Sequence, residues 1–281
     1  MNQTKGWEWE LKPHKKWFQL ELGEIKNYSG LLQSFIRREL IAGYQQTVMG
    51  VFWLVLQPLF TTLFYVLVFS RIVKVSTDGT PPLLFYMSGS IIWSFFSDCL
   101  SSCMYCFIHN AHIFNKVYFP RIIAPLSMVS THAVRFFIQF LFFVLIYLYY
   151  FICGTVHPSL YLLFLPFTLI LVAALALGIG LILSIYMAKY RDIEQIMNFV
   201  LRFLMFVTPV VYPASIIPKT YQMWFWLNPL TPLIETFRSA FFSTPIFHTS
   251  YIFISIITVV AILFIALVVF KRNEIKVMDT L

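Results

Sequence analysis

Residues 136–188 contain no Asp, Glu, Lys or Arg. As one helix at 1.5 Å per residue this run would be about 80 Å long, whereas the hydrocarbon core of a bilayer is only ~30 Å thick. The run must cross a membrane twice. Gly154 and the His157-Pro158 pair mark the break between the two crossings. Composition agrees: 11% of the chain is charged, 59% is hydrophobic and the mean hydropathy is +0.79. A soluble domain carries about 25% charged residues, so lipid is the solvent here. The net charge of +8 is then informative through its placement, and it does not point to nucleic acid.

Apolar runs at 48–70, 83–107, 122–151, 160–187, 193–212 and 249–270 predict an all-α membrane protein with six transmembrane helices. Each span must be helical because lipid offers the backbone no hydrogen-bond partners. An even count puts both termini on one side. Lys5, Lys12, Lys15, Lys16, Lys26, Arg37 and Arg38 precede the first span; Lys116, Arg121, Lys189, Arg191, Lys271, Arg272 and Lys276 fall on the same side. Only Arg71, Lys74, Lys219 and Arg238 fall on the other. Basic loops stay in the cytoplasm, so both termini are predicted to be cytoplasmic. The chain divides into a cytoplasmic segment 1–47, a transmembrane domain 48–270 and a tail 271–281. Residues 1–27 are polar and of mixed charge, with no apolar stretch of the kind a signal peptide needs. Cys99, Cys103, Cys106 and Cys153 lie in or beside apolar runs and are read as free thiols, not a disulfide framework.

Three segments add to this plan. Over residues 28–43, Leu31, Leu32, Phe35, Ile36 and Leu40 share one half of a helical wheel, while Gln33, Arg37 and Arg38 share the other. Glu39 breaks the pattern. The segment is either an interfacial helix at the cytoplasmic headgroups or a solvated lead-in. Residues 108–120 carry Ile113, Phe114, Val117, Tyr118 and Phe119 on a short cytoplasmic loop, a surface for docking a partner or for lying on the membrane. Residues 213–247 are apolar but interrupted by Pro213, Pro218, Pro229, Pro232 and Pro245. They form either two short helices dipping into the outer leaflet or an interfacial loop rich in Trp and Tyr.

Catalytic and metal chemistry find little support. Cys103, Cys106, His109 and His112 are spaced by three residues, but on one helix such positions spread over ~13 Å and rotate apart, so they cannot close on one ion. No Gly-x-x-x-x-Gly-Lys-Ser/Thr loop is present to hold a nucleotide. Ala176, Gly180 and Ser184, with Gly178 between them, form a small-residue face for close helix packing. Asp98, His132, Arg135, Arg202 and Glu235 are scattered through or near the spans; intramembrane charges are functional candidates, and Asp98 with Arg135 or Arg202 equally suits a structural pair. Aromatic residues are in surplus: Phe52, Trp53, Phe60, Phe64 and Tyr65 in the first span, Trp93, Phe95 and Phe96 in the second, and Phe199, Phe203 and Phe206 on one face of the fifth. Such rings face lipid or line a path for sugars, whose hydroxyls each cost ~2–7 kcal/mol when stripped of hydrogen bonds.

Five landmarks in order carry a family resemblance. They are Arg38-Glu39-Leu40 with Tyr44 to Trp53 and Gln57-Pro58; Asn110 with Lys116 to Arg121 and Pro125-Leu126-Ser127; Tyr190-Arg191-Asp192; Thr208 to Pro213; and Asn228-Pro229-Leu230. From about residue 30 to its C-terminus the chain resembles the membrane subunit of ABC transporters that export O-antigen, capsule and teichoic acid polysaccharides. The resemblance implies a multi-pass permease of the bacterial inner membrane, acting as a homodimer with two copies of a separate ATPase that binds ATP and Mg. It implies no cofactor and no catalytic residue in this chain. It implies an ATPase-coupling helix at 108–119, with His112, Phe114, Lys116, Val117, Tyr118 and Phe119 at the contact. Arg37, Arg38 and Tyr44 would lie at the lipid headgroups. Phe52, Trp53, Phe60, Phe64, Trp93, Phe96, Phe199, Phe203 and Phe206 would line the channel for a lipid-linked polysaccharide. Two short outer re-entrant helices over 213–247, with Tyr212, Pro213, Trp224, Trp226, Asn228 and Pro229, would form the outer gate. The family often has basic residues on both sides of the tyrosine before the first span, where this chain has Gly43 and Gln45; a lipid pyrophosphate must then be met by Arg37, Arg38 or another group. Two rival functions stay open: an ABC exporter of drugs or other small molecules, and a membrane enzyme acting on lipid-linked sugars.

Overall fold

The structure is a computed structural model, and it describes residues 28–43, 45, 48–114, 119–190, 192–244 and 249–279. Among these, all regular structure is helical. The helices are α1 (Ser29–Ala42), α2 (Trp53–Tyr65), α3 (Pro82–Phe114), α4 (Ile123–Ile152), α5 (Leu165–Met187), α6 (Ile193–Val207), α7 (Lys219–Leu227), α8 (Leu230–Phe242) and α9 (Thr249–Asp279). The helix of α2 is extended by a tight turn at Gly50–Phe52 and a π-helical stretch at Val66–Ile72; Pro58 sits inside it and withholds one backbone donor.

Local chemistry sets the breaks. Gly154, at φ +71°, turns the chain after α4. Ser159 accepts from the Tyr161 amide at 3.4 Å and opens the 3-10 turn Leu160–Phe164 that leads into α5. Pro209 has no amide hydrogen and drives the residue before it out of the helical region; Thr208 is extended, with ψ 139°, and α6 stops at Val207. Pro229 acts in the same way on Asn228, at ψ 115°, and ends α7.

Five helical stretches are long and apolar enough to cross a membrane: Gly50–Ile72, Pro82–Ala111, Ile123–Ile152, Leu160–Met187 and Ser250–Asn273. The protein is multi-pass. The sequence predicts a sixth crossing over 193–212, but α6 has 15 residues and is about 22 Å long at 1.5 Å per residue. The predicted separate helix at 108–119 also differs: α3 runs unbroken to Phe114, so residues 108–114 are its last turns. Residues 1–27 and the predicted contact residues Lys116, Val117, Tyr118 and Tyr44 lie outside the described residues.

α3 is the central helix, packed along α4 and α5 and touching α2 and α8. α5 in turn packs along α9. The two glycines of α5 serve different neighbours. A Cβ on Gly180 would lie 2.5 Å from the Cys103 Cβ of α3, whereas one on Gly178 would meet the α9 backbone at Leu263 Cα, at 3.2 Å. Rings of α4 and α8 interlock: Phe143 lies 5.0 Å from Phe241 and 5.8 Å from Phe237. The Tyr147 hydroxyl donates to the Phe241 carbonyl at 2.9 Å.

Candidate functional site

α2 shows two distinct faces. Leu54, Pro58 and Thr62 are its buried stripe, and Thr62 Oγ1 meets Ser90 Oγ of α3 at 3.4 Å. Opposite them, Trp53, Gln57, Phe60 and Phe64 are exposed at i, i+4, i+7 and i+11, which is one stripe of a helix. Phe52 is exposed at the start of the helix. α6 is similar. Leu201 is buried, while Phe199, Phe203 and Phe206 are exposed, and Glu194, Gln195, Asn198 and Arg202 are exposed beside them. The two helices meet where the Tyr65 hydroxyl donates to Met205 Sδ at 3.3 Å. Trp93 and Phe96 are placed elsewhere. They pack on each other with centroids 5.7 Å apart and are buried in the core of the chain, away from these exposed stripes.

Near the N-terminal end of α3 the chain between α6 and α7 is held by Arg238 of α8, which is 2% exposed. Its Nη1 donates to the Pro209 carbonyl at 2.7 Å and to Glu235 Oε1 at 2.9 Å, and its Nη2 donates to the Val210 carbonyl at 2.7 Å. The guanidinium carbon lies 3.9 Å from the centroid of the Phe85 ring. The Pro209 and Val210 carbonyls lie in the non-helical stretch that follows α6, where buried backbone groups need partners from elsewhere. Burial pushes the Glu235 carboxyl up from its ordinary value, and the Arg238 charge draws it back. Gly89 of α3 makes the approach possible: a Cβ there would sit 2.5 Å from the Val210 carbonyl oxygen. The remaining links join the predicted gate residues. Asn228 Nδ2 donates to Thr208 Oγ1 at 2.9 Å, the Leu230 amide donates to Asn228 Oδ1 at 3.1 Å, and the Tyr212 hydroxyl donates to the Phe206 carbonyl at 2.7 Å. Trp226 is buried and stacks on Tyr251 of α9 at 5.2 Å, while Trp224 is exposed. Pro213 lines a cavity of about 190 Å³ with Asp78, Thr80, Glu235 and Arg238, and Asp78 accepts from Ser215 Oγ at 2.7 Å.

At the C-terminal end of α3, α1 is docked on protein. Phe35, Phe119 and Ile123 form a buried cluster with Leu31, Leu32, Ile113 and Phe114 around it. Phe119 stands 5.7 Å from Phe35 and stacks on Phe114 at 5.2 Å. Arg38 Nη2 donates to Asn110 Oδ1 at 2.5 Å, and the buried Asn110 Nδ2 donates to the Cys106 carbonyl at 2.9 Å. Arg37 is exposed. Between α3 and α4, Asp98 lies within the field of Arg135, and His132 Nε2 is 2.7 Å from Ser102 Oγ. Cys103 and Cys106 face the core while His109 stacks on Tyr105 at 5.5 Å. Among the described residues no group of three or more His, Cys, Asp or Glu is placed to hold a metal ion.

Sequence reasoning missed the role of Arg238, taking it only as a basic residue on the outer side. The available signal was an Arg three residues after Glu235 in an apolar segment, the spacing of a helical ion pair.

Known proteins align with this chain over most of its length. It is 26% identical over 252 residues to the O-antigen export system permease protein RfbA of Klebsiella pneumoniae, covering 89% of this chain and 95% of that one. The Myxococcus xanthus protein of the same name is 27% identical over 221 residues, 78% of this chain and 83% of its own. The polysialic acid transport protein KpsM of Escherichia coli is 23% identical over 248 residues, 86% of this chain and 93% of its own. The family described as ABC-2 type transporter matches residues 30–242, which takes in α1 to α8 with both exposed stripes and the Arg238 clamp. The chain belongs to the ABC-2 type transporter family, as one of its permeases.

Proposed function

We propose that this permease exports a lipid-linked polysaccharide across the bacterial inner membrane, as a homodimer driven by two copies of a separate ATPase that binds ATP and Mg. The observation that carries the reading is the exposed sector of α6, where Glu194, Asn198 and Arg202 stand beside Phe199, Phe203 and Phe206. A face of this kind is wrong for lipid, because charged groups in hydrocarbon are costly. It suits a wet path along which sugar rings stack by their C–H faces and hydroxyls find hydrogen bonds. The aromatic stripe of α2 shares the path, and the second copy of the chain supplies the opposite wall. Trp93 and Phe96 support the wall from behind.

In this reading α6 and residues 208–212 together make the sixth crossing, and both termini are cytoplasmic. α7 and α8 are the outer gate, held by Arg238 and by the Asn228–Thr208 bond. The end of α3 with residues 115–119 is the ATPase contact, and α1 rides on it at the lipid headgroups, where Arg37, Arg38 and Tyr44 are the residues assigned to the carrier lipid. The names of the relatives, O-antigen export and polysialic acid transport, favour a glycan over a small molecule.

Deletion of the gene tests the proposal, with surface polysaccharide and intracellular lipid-linked glycan both measured. Loss at the surface with accumulation inside is expected. Loss without accumulation would assign the chain to synthesis, and an unchanged surface would assign it to small-molecule export.

A further inference from the structure

Arg202 is the cation of the exposed sector of α6, and stacking on sugar rings does not explain it. It is the tenth residue of the 15-residue helix, about 14 Å from its start at 1.5 Å per residue, well removed from the cytoplasmic end. It is exposed, and among the described residues no hydrogen bond or ion pair reaches it. Glu194, the acid on the same helix, lies about two turns away. Asp98 lies in the field of Arg135. A guanidinium at such a depth without a protein acid beside it needs an anion or water.

We infer that Arg202 is an anion-binding, specificity-determining residue of the path, taking a carboxylate or phosphate group of the lipid-linked glycan. The inference rests on the export reading and deepens it by naming the charge of the cargo. The chemistry fits: the planar guanidinium fork binds carboxylate or phosphate through two parallel hydrogen bonds. Asn198 lies one turn below Arg202, and Phe203 and Phe206 lie beside and above it. A sugar ring can therefore stack while its acidic group meets Arg202 and a hydroxyl meets Asn198. In a homodimer two copies of Arg202 face the same path, and their mutual repulsion is relieved by an anion between them. The anionic group has two sources: an acidic sugar within the moving chain, or the pyrophosphate of the lipid carrier.

The test uses the whole transporter, permease with its ATPase, in proteoliposomes. Binding of three probes is measured for the native protein, Arg202→Gln and Arg202→Lys: an oligosaccharide containing glucuronate, a glucose oligosaccharide of the same length, and polyprenyl pyrophosphate without sugar. Arg202→Gln is expected to weaken an anionic probe about tenfold, an effect that shrinks with added salt. It should leave the glucose probe unchanged, and Arg202→Lys should recover only part of the anion affinity, keeping the charge but losing the paired hydrogen bonds. A loss confined to glucuronate supports the inference with the sugar as source; a loss confined to polyprenyl pyrophosphate supports it with the carrier as source. Equal binding of every probe by native protein and Arg202→Gln overturns it, as does an equal loss for the neutral probe, which would mark a structural role. If the native protein binds no probe at all, the export reading itself fails.

Discussion

Arg238 shows how a single buried charge organises the chain between α6 and α8. Removing a charge from water is expensive, and breaking a buried pair by deleting one partner typically costs about 3–5 kcal/mol. Arg238→Leu removes the donor for Pro209, Val210 and Glu235 together and leaves the Glu235 carboxylate without its counter-charge. Its melting temperature in detergent is expected to fall steeply. Glu235→Gln leaves the guanidinium on its two carbonyls and should lower the melting temperature less. A variant Arg238→Leu that melts like the native protein would refute the clamp. The residue was not legible as a clamp because its partners are backbone carbonyls of Pro209 and Val210, nearly thirty positions away in the chain. What was legible was that a buried helix carrying Glu and Arg three apart demands an explanation. Arg202 belongs to the same class of signal with the opposite resolution: one Arg is consumed by the fold and the other is presented.

At the scale of the element, α1 and the end of α3 behave as one body. Phe119 is 3% exposed between Phe35 and Phe114, and truncating a buried Phe typically costs about 3–5 kcal/mol. Phe119→Ala is therefore expected to loosen α1. In membrane vesicles trypsin should then cut at Arg37 and Arg38 several times faster than in the native protein, with less ATPase recovered on purification. Phe137→Ala, at an exposed position of α4, serves as the control. Equal trypsin rates for Phe119→Ala and the native protein would contradict the docking. Helix existence was readable from apolar run length, and α1 from its wheel, because those properties are local. The facing of the aromatic residues was not. Near Trp93 and Phe96 of α3, Ser94, Ser97 and Asp98 mark the less buried side, but an aromatic ring on a membrane helix suits lipid, protein or a path alike, so the pattern alone does not assign it. The polar residues on α6 break that degeneracy, so its exposed sector could be anticipated from Asn198 and Arg202.

At the scale of the whole molecule, the number of crossings decides where the ends lie. The five long apolar stretches alone would put the termini on opposite sides, whereas the distribution of Lys and Arg predicts both in the cytoplasm. The two statements agree only if α6 takes part in a crossing. At about 22 Å it falls short of the ~30 Å core, but residues 208–212 follow it directly. Five residues reach at most about 17 Å when extended, so half of that reach closes the gap. Broken backbone at that depth has to be covered by protein, and Arg238, Gly89 and Asn228 provide such cover. Alkaline phosphatase, active only outside the cytoplasm, reports the outcome when fused after Ser215 and, separately, after Leu281. Six crossings require activity at Ser215 and none at Leu281. If α6 instead returned to the side from which it came, the two fusions would report the reverse. The polar stripe of α6 would then lie on the cytoplasmic surface, and no path for a glycan would run along it.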